Sequence, residues 1–237
     1  MSWGYFEYVP VAKKKADAVK LLEKLRKKNP AISPVIIEGK KIANSWWAVA
    51  WNKNLESYAD YSSRIGRGRS YVKNGMVLDL QICEGKITGL VKGSSSRPYK
   101  IVITIDSLSD EKWKKIIEKC SHKINNIEEL INGKFPKEFE EIFLQKEDGL
   151  FPSPREIKLD CDCPDWATMC KHVAAVLYGV GARFDTDPLV FFKLRDVNYQ
   201  ELLKKSMDEK INDMLKNAKK PSDRIIESNN ISKLFGI

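Results

Sequence analysis

Twelve residues, Cys161 to His172 (CDCPDWATMCKH), constrain this chain more than any other stretch. They carry three cysteines and one histidine at the spacing Cys-x-Cys-x6-Cys-x-His. A structural zinc site takes four sulfur or nitrogen ligands in a tetrahedron, and Cys3His fills it completely. Two cysteines two apart on a strand point to one side, so Cys161 and Cys163 can grip one ion. The loop containing Pro164 can fold back over the metal. Cys170 and His172 then arrive at the start of a helix, where free N–H groups and the helix dipole favour a thiolate. The expected cofactor is one structural Zn²⁺ on Cys161, Cys163, Cys170 and His172. Four protein ligands leave no position for water, so catalysis at the metal is not expected. The signatures of zinc deaminases and of H-E-x-x-H proteases are absent, as is a P-loop, and the chain is expected not to be an enzyme.

Hydrophobic periodicity organises the rest. Ala18, Leu21, Leu22 and Leu25 predict a helix over 12–28. Ser45 caps a second helix expected to run to about Arg64, with Trp47, Trp51, Leu55 and Tyr58 on its core face. Ile65-Gly66-Arg67-Gly68-Arg69 then reads as an exposed turn. Tyr71–Lys73 reads as a strand, joined by Asn74-Gly75 as a hairpin to a second strand at 76–83. Further strands are expected at 86–92, 99–105 and 155–163, and a short aromatic strand at Trp3, Tyr5 and Tyr8. Residues 108–147 read as helical, with a capping box at Asn126 and Pro136 in a first helical position. A helix over 169–178 is expected to stop at Gly179 and Gly181. Asp187-Pro188 opens another helix, a long one spans 199–218, and the tail ends in Leu234 to Ile237. His122 has no partner motif and reads as a surface or core-edge residue. Cys83 and Cys120 fit plain packing positions.

Charge separates the regions. The formal net charge is +9 over 237 residues. Residues 1–100 hold 19 Lys and Arg against 8 Asp and Glu, a net of +11. Such asymmetry points to a polyanionic partner. Arg64, Arg67 and Arg69, beside glycines that admit a backbone phosphate, are the first candidate contacts. Lys92, Arg97 and Lys100 near the sheet are the second group. Trp46, Tyr61 and Tyr71 are candidate stacking surfaces for unpaired bases. No apolar run is long enough to span a bilayer, and the N-terminus lacks signal-peptide patterning. A cytoplasmic protein without a membrane partner is expected.

The motif Cys161-x-Cys163-Pro164-Asp165, followed by Cys170-Lys171-His172 opening an alanine-rich helix, resembles the SWIM zinc finger. That finger recurs in Swi/Snf-type ATPases, Mutator-type transposases and MEK-kinase-type signalling kinases. The segments GKKIANSWW, NLESYADY, GRSYVKNG with VLDLQI, Phe184-Asp185 with Asp187-Pro188, and the closing LFGI are similar to those of stand-alone prokaryotic SWIM proteins. The resemblance implies a zinc-binding β-β-α finger within a larger α+β protein that binds DNA or proteins beside a helicase-like ATPase. The expected fold is therefore α+β: an N-terminal helix packed on a small antiparallel β-meander, a helical connector, a SWIM-type finger and a C-terminal helical arm. The corresponding segments are 1–106, 107–150, 151–184 and 185–237. The expected function is a zinc-binding accessory protein that binds nucleic acid, DNA foremost, through its basic N-terminal half. The alternative is an adaptor whose finger docks a Swi/Snf-type or recombination ATPase without touching nucleic acid.

Overall fold

The computed structural model describes residues 10–124, 127–145 and 148–218. The strand expected at Trp3 to Tyr8, the Asn126 cap and the tail at Leu234 to Ile237 lie outside them. The class is α+β. Helices α1 (Val11–Lys28), α2 (Trp46–Glu56) and α3 (Ser62–Lys73) precede strands β1 (Val77–Cys83), β2 (Lys86–Val91) and β3 (Tyr99–Ile105). Helix α4 (Asp110–Ser121) and the short helices α5 (Ile127–Ile131) and α6 (Phe139–Phe143) follow. Strand β4 (Ile157–Cys161) leads to α7 (Lys171–Thr186), α8 (Val190–Leu194) and α9 (Tyr199–Ala218). The four strands form one antiparallel sheet in the order β1-β2-β3-β4. The finger thus supplies one strand, and its pairing strand is β3 of the meander. Backbone bonds from Val35 to Val77 and from Leu80 to Ser33 lay the segment after α1 along the free edge of β1, which blunts that edge against pairing with other chains.

Local readings fail at several places. The helix opening at Ser45 ends at Glu56, and a new helix, α3, starts at Ser62. The stretch Ile65–Arg69 is therefore helix rather than turn, and Tyr71–Lys73 completes that helix instead of forming a strand. Asn74-Gly75 is the helix's C-terminal stop: Asn74 donates its backbone N–H to Ser70 O, and Gly75 takes φ +70°, the left-handed geometry that closes helices. Lastly, α7 runs straight through Gly179 and Gly181. Both glycines are sites of close approach: a Cβ on Gly179 would sit 2.9 Å from Val35 Cγ2, and one on Gly181 would collide with Asn52. Gly68 of α3 does the same on another side of α7, where a Cβ would lie 2.5 Å from Ala174 Cβ. The helical expectation at Pro136 is displaced by three residues, since α6 begins at Phe139.

Helix α7 is apolar on all sides because it is surrounded. It lies across the sheet and against α2 and α3, and His172 to Gly181 is buried without a break. Trp51, fully buried on α2, donates its indole N–H to Leu177 O, and Trp47 donates to Phe184 O. The Asp185 carboxylate accepts the backbone N–H groups of Asn44 (2.6 Å) and Ser45 (2.9 Å). The far end of α7 thereby holds the start of α2. The other end of α7 carries the cluster Cys170 and His172.

Candidate metal centre

The four ligand atoms come from one strand end, one loop and one helix start. Strand β4 pairs Cys161 with Ile101, and Ile101 faces the core, so the Cys161 side chain turns toward α7. Asp162 fixes the strand end: its N–H donates to Lys100 O, and its carboxylate accepts the Lys100 N–H at 2.9 Å. Cys163 then returns to the same side as Cys161. Cys170 is the N-cap of α7, with extended φ −68° and ψ 167°, and its Sγ accepts the Val173 N–H at 3.5 Å. His172 follows in the first turn. All four ligand atoms lie within 4.8 Å of one another, and His172 Nδ1 stands 3.9 Å from both Cys161 Sγ and Cys170 Sγ. A tetrahedral zinc site with these donors has edges of about 3.5–3.8 Å. The donor set and its spacing fit one structural zinc ion.

Electrostatics prepares the site unevenly. The thiol hydrogen bond from Cys161 pulls Cys170 down to about 4 against the effect of burial, helped by His172 and by the Val173 N–H. Contact with Cys170, then burial, pushes Cys161 well up, and burial pushes Cys163 up. Zinc binds cysteine as thiolate, so it must displace the thiol protons that remain, and its affinity rises with pH. Cys83 and Cys120 lie outside the cluster; Cys83 is exposed, and burial raises Cys120 to about 12.

Aromatic rings hold the histidine. The imidazole packs on Tyr99 with centroids 4.4 Å apart and a tilt of 32°, and meets Tyr71 edge-on at 5.6 Å. Its Nε2 is buried with no hydrogen-bond partner among the described residues. Gly93 supplies the space, since a Cβ there would lie 2.5 Å from Tyr99 Cε2 and 2.8 Å from His172 Nε2. Gly93→Ala is therefore expected to turn the imidazole and weaken zinc binding by roughly 10- to 100-fold, the range typical of groups that orient a ligand. Competition with a chromogenic chelator measures this. Unchanged affinity would mean that the 92–98 turn yields before the histidine does.

The candidate arginines divide. Arg64 grips Asp165 in the finger loop through Nε (2.9 Å) and Nη2 (3.1 Å). Arg69 pairs with Glu56 at 2.6 Å and donates to Tyr178 Oη at 2.7 Å. Both guanidiniums thus hold the fold together, while Arg67 is exposed. Lys92 donates to Ser95 O and lines a groove with Lys20 and Lys24 of α1; Arg97 and Lys100 are exposed nearby on the chain. Trp46 donates its indole N–H to Phe135 O and packs on Phe143, and Tyr71 is engaged by His172. Tyr61 is exposed, and its ring meets Trp166 of the finger loop. His122 is an exposed partner of Glu209 at 3.1 Å.

Sequence reasoning passed over Trp166, although it stands inside the ligand motif, and over Lys40, Lys41, Lys53 and Lys73. These four lysines line one groove between the 39–43 loop, α2 and α3, about 320 Å³ in volume. Their spacing along the chain gives no sign of it, because three separate elements bring them together. Among the described residues no helix is long and apolar enough to cross a membrane.

Residues 142–180 match the family model of the SWIM zinc finger. The chain is also similar to the uncharacterized protein Rv2102 of Mycobacterium tuberculosis, at 36% identity over 163 residues. That match covers 68% of this chain and 58% of the relative, so the chain spans less than two thirds of the relative's length. No solved structure matches.

Proposed function

For a chain that carries a SWIM zinc finger at residues 142–180, we propose the role of a zinc-braced accessory protein that binds nucleic acid, DNA foremost, through phosphate contacts on its basic N-terminal half. The lysine groove carries this reading. Lys40, Lys41, Lys53, Lys73 and Arg69 line it, and Glu56 is the one acid among its lining residues. Phosphate contacts supply most sequence-independent affinity, and exposed ammonium groups on several elements suit a backbone better than a single small anion. The finger contributes by bracing: Asp165 holds Arg64 of α3, and α7 forms one wall of the groove through Tyr178. The proposed zinc role is structural, with no turnover, and the proposed partner class is a helicase-like Swi/Snf-type ATPase or a recombinase acting on the same nucleic acid.

Replacing Lys40, Lys41, Lys53 and Lys73 together by alanine is expected to weaken binding to all sequences alike. The slope of log affinity against log salt should flatten by about three to four units, near one per lost contact. Fluorescence anisotropy at several salt concentrations measures it. An unchanged slope would place the phosphate contacts elsewhere and remove the support the groove gives.

A protein contact is the second reading, and α9 favours it. Met207, Ile211, Met214 and Leu215 are exposed on that helix, and Met207 and Ile211 line a groove of about 480 Å³ with Ile131 and Leu189. Exposed apolar surface of this kind marks association sites.

A further inference from the structure

We propose that Trp166 and Tyr61 form a stacking platform for an unpaired nucleobase, so that the chain prefers single-stranded over duplex nucleic acid. The inference rests on the nucleic-acid reading above and sharpens it. Trp166 is 78% exposed, more than any other large hydrophobic residue among those described, and Tyr61 is 42% exposed. Their ring centroids lie 5.3 Å apart at 79°, so the tyrosine braces the indole edge-on and leaves indole surface open to solvent.

The loop that presents the indole is fixed on both sides of it. Before it, Asp165 forms the two-pronged ion pair with Arg64. After it, the Asp60 carboxylate accepts the N–H groups of Thr168 (2.9 Å) and Met169 (3.3 Å). Ala167 and Met169 are buried beneath the loop. Zinc closes the same loop through Cys163 and Cys170. A tryptophan that could fold onto its own protein instead stands on a loop fixed by an ion pair and hydrogen bonds, with its ring against Tyr61. A ring fixed in this way loses little conformational entropy when a ligand stacks on it.

The surroundings select the ligand. A tryptophan that anchors a protein partner sits in a dry apolar patch. Here the neighbours along the chain and on α3 are Asp60, Arg64, Asp165, the exposed Arg67 and the half-buried Lys171. Helix α3 is about 18 Å long. It runs from the aromatic pair at its start, past the exposed Arg67, to Lys73, which lines the lysine groove at its other end. Aromatic faces joined to a cationic track are what proteins use to hold an unpaired strand: every base offers a face to stack, and the phosphates follow the charge. Bases in a duplex are already stacked and offer no such face.

The test compares a fluorescently labelled oligo-dT strand with a labelled duplex of equal length, both by anisotropy on zinc-loaded full chain. Trp166→Ala is expected to weaken binding of the single strand by roughly 5- to 150-fold, the span that stacking of one base covers, and to change duplex binding less than about twofold. Trp166→Phe should keep most of the affinity. Zinc content and thermal midpoint check that the exposed substitution leaves the fold intact. Equal single-strand affinity of wild type and Trp166→Ala, while the four-lysine variant still loses binding, overturns the platform and leaves the phosphate reading standing. If wild type binds neither probe, both readings fall.

Discussion

Replacing Cys170 by alanine is expected to remove the zinc and to destabilise the chain more than any other single ligand change. Two functions vanish together, because Cys170 is both a metal ligand and the N-cap of α7. Cys163→Ala removes a half-exposed ligand that caps nothing and should also lose the metal. The difference between the two variants should be about 1 kcal/mol, the typical contribution of a helix cap. Cys170→Ser separates the terms, since serine caps well but binds zinc poorly in this setting; it should match Cys163→Ala. Isolated zinc fingers unfold without metal, where binding contributes roughly 10–16 kcal/mol. Here α7 is buried from His172 to Gly181 against the sheet, α2 and α3, so apolar contact should keep it helical in the metal-free chain. Far-ultraviolet dichroism should therefore stay near its wild-type shape while the thermal midpoint falls and residues 162–169 become open to protease. Elemental analysis should give about one zinc per wild-type chain and none in either cysteine variant. Stoichiometric zinc in Cys170→Ala would reject the assigned site.

Arg195→Met is expected to be as damaging, far from the metal. Arg195 is fully buried, pairs with Glu156 at 2.7 Å and donates to Asp106 O at 2.7 Å. It joins the end of α8 to the entry of β4 and to the turn after β3. The Glu156 side chain is 23% exposed and keeps the Ser153 N–H, so the loss should stay below the about 3–5 kcal/mol that breaking a fully buried pair costs. The pH dependence gives a second readout. Burial raises the Glu156 carboxyl, but the hydrogen bond from Arg195 and those from Ser153 outweigh it, and the net shift is downward. A carboxyl with a lowered folded value contributes stability above its ordinary value near 4.3, and loses it as the pH falls through the folded value. The gap between wild type and Arg195→Met in urea unfolding should therefore be full at pH 7 and shrink below about pH 4. A gap independent of pH would assign the cost to lost packing alone.

The residues that bind zinc were legible because ligand chemistry is local: four donors in twelve positions leave few alternatives, and a strand end followed by a helix start brings them within reach. The amphipathic α1 and α9, the Ser45 cap and strands β1 to β3 were legible for a similar reason, since a 3.6- or 2-residue period is written within a few turns of chain. The charge excess of the first hundred residues was equally plain, but its location in space was not. Glycine misled most. Gly66 and Gly68 read as a turn, and Gly179 and Gly181 as a stop, because glycine is a poor helix former. Gly68, Gly179 and Gly181 each permit a close approach by a residue distant in sequence, and the packing of α7 against α3, α2 and the segment after α1 offsets the local propensity. Asn74-Gly75 has one local geometry that serves a hairpin or a helix end, and only the elements on either side decide between them.

Partnership was the other thing the sequence withheld. Arg64 and Arg69 carry the composition of a phosphate site, yet Asp165 lies 101 positions from Arg64 and Tyr178 lies 109 from Arg69. A charged side chain advertises what it can bind but not what it has already bound. The sequence by itself determined the SWIM-type Cys3His donor set that fits one zinc ion, the α+β class and the sign of the net charge. The tertiary structure decided which cations hold the fold and which face solvent, how β4 joins the meander, and why Trp166 stands outside. Chemistry and periodicity act over a few residues, whereas pairing and burial depend on contacts that exist only after the chain has closed on itself.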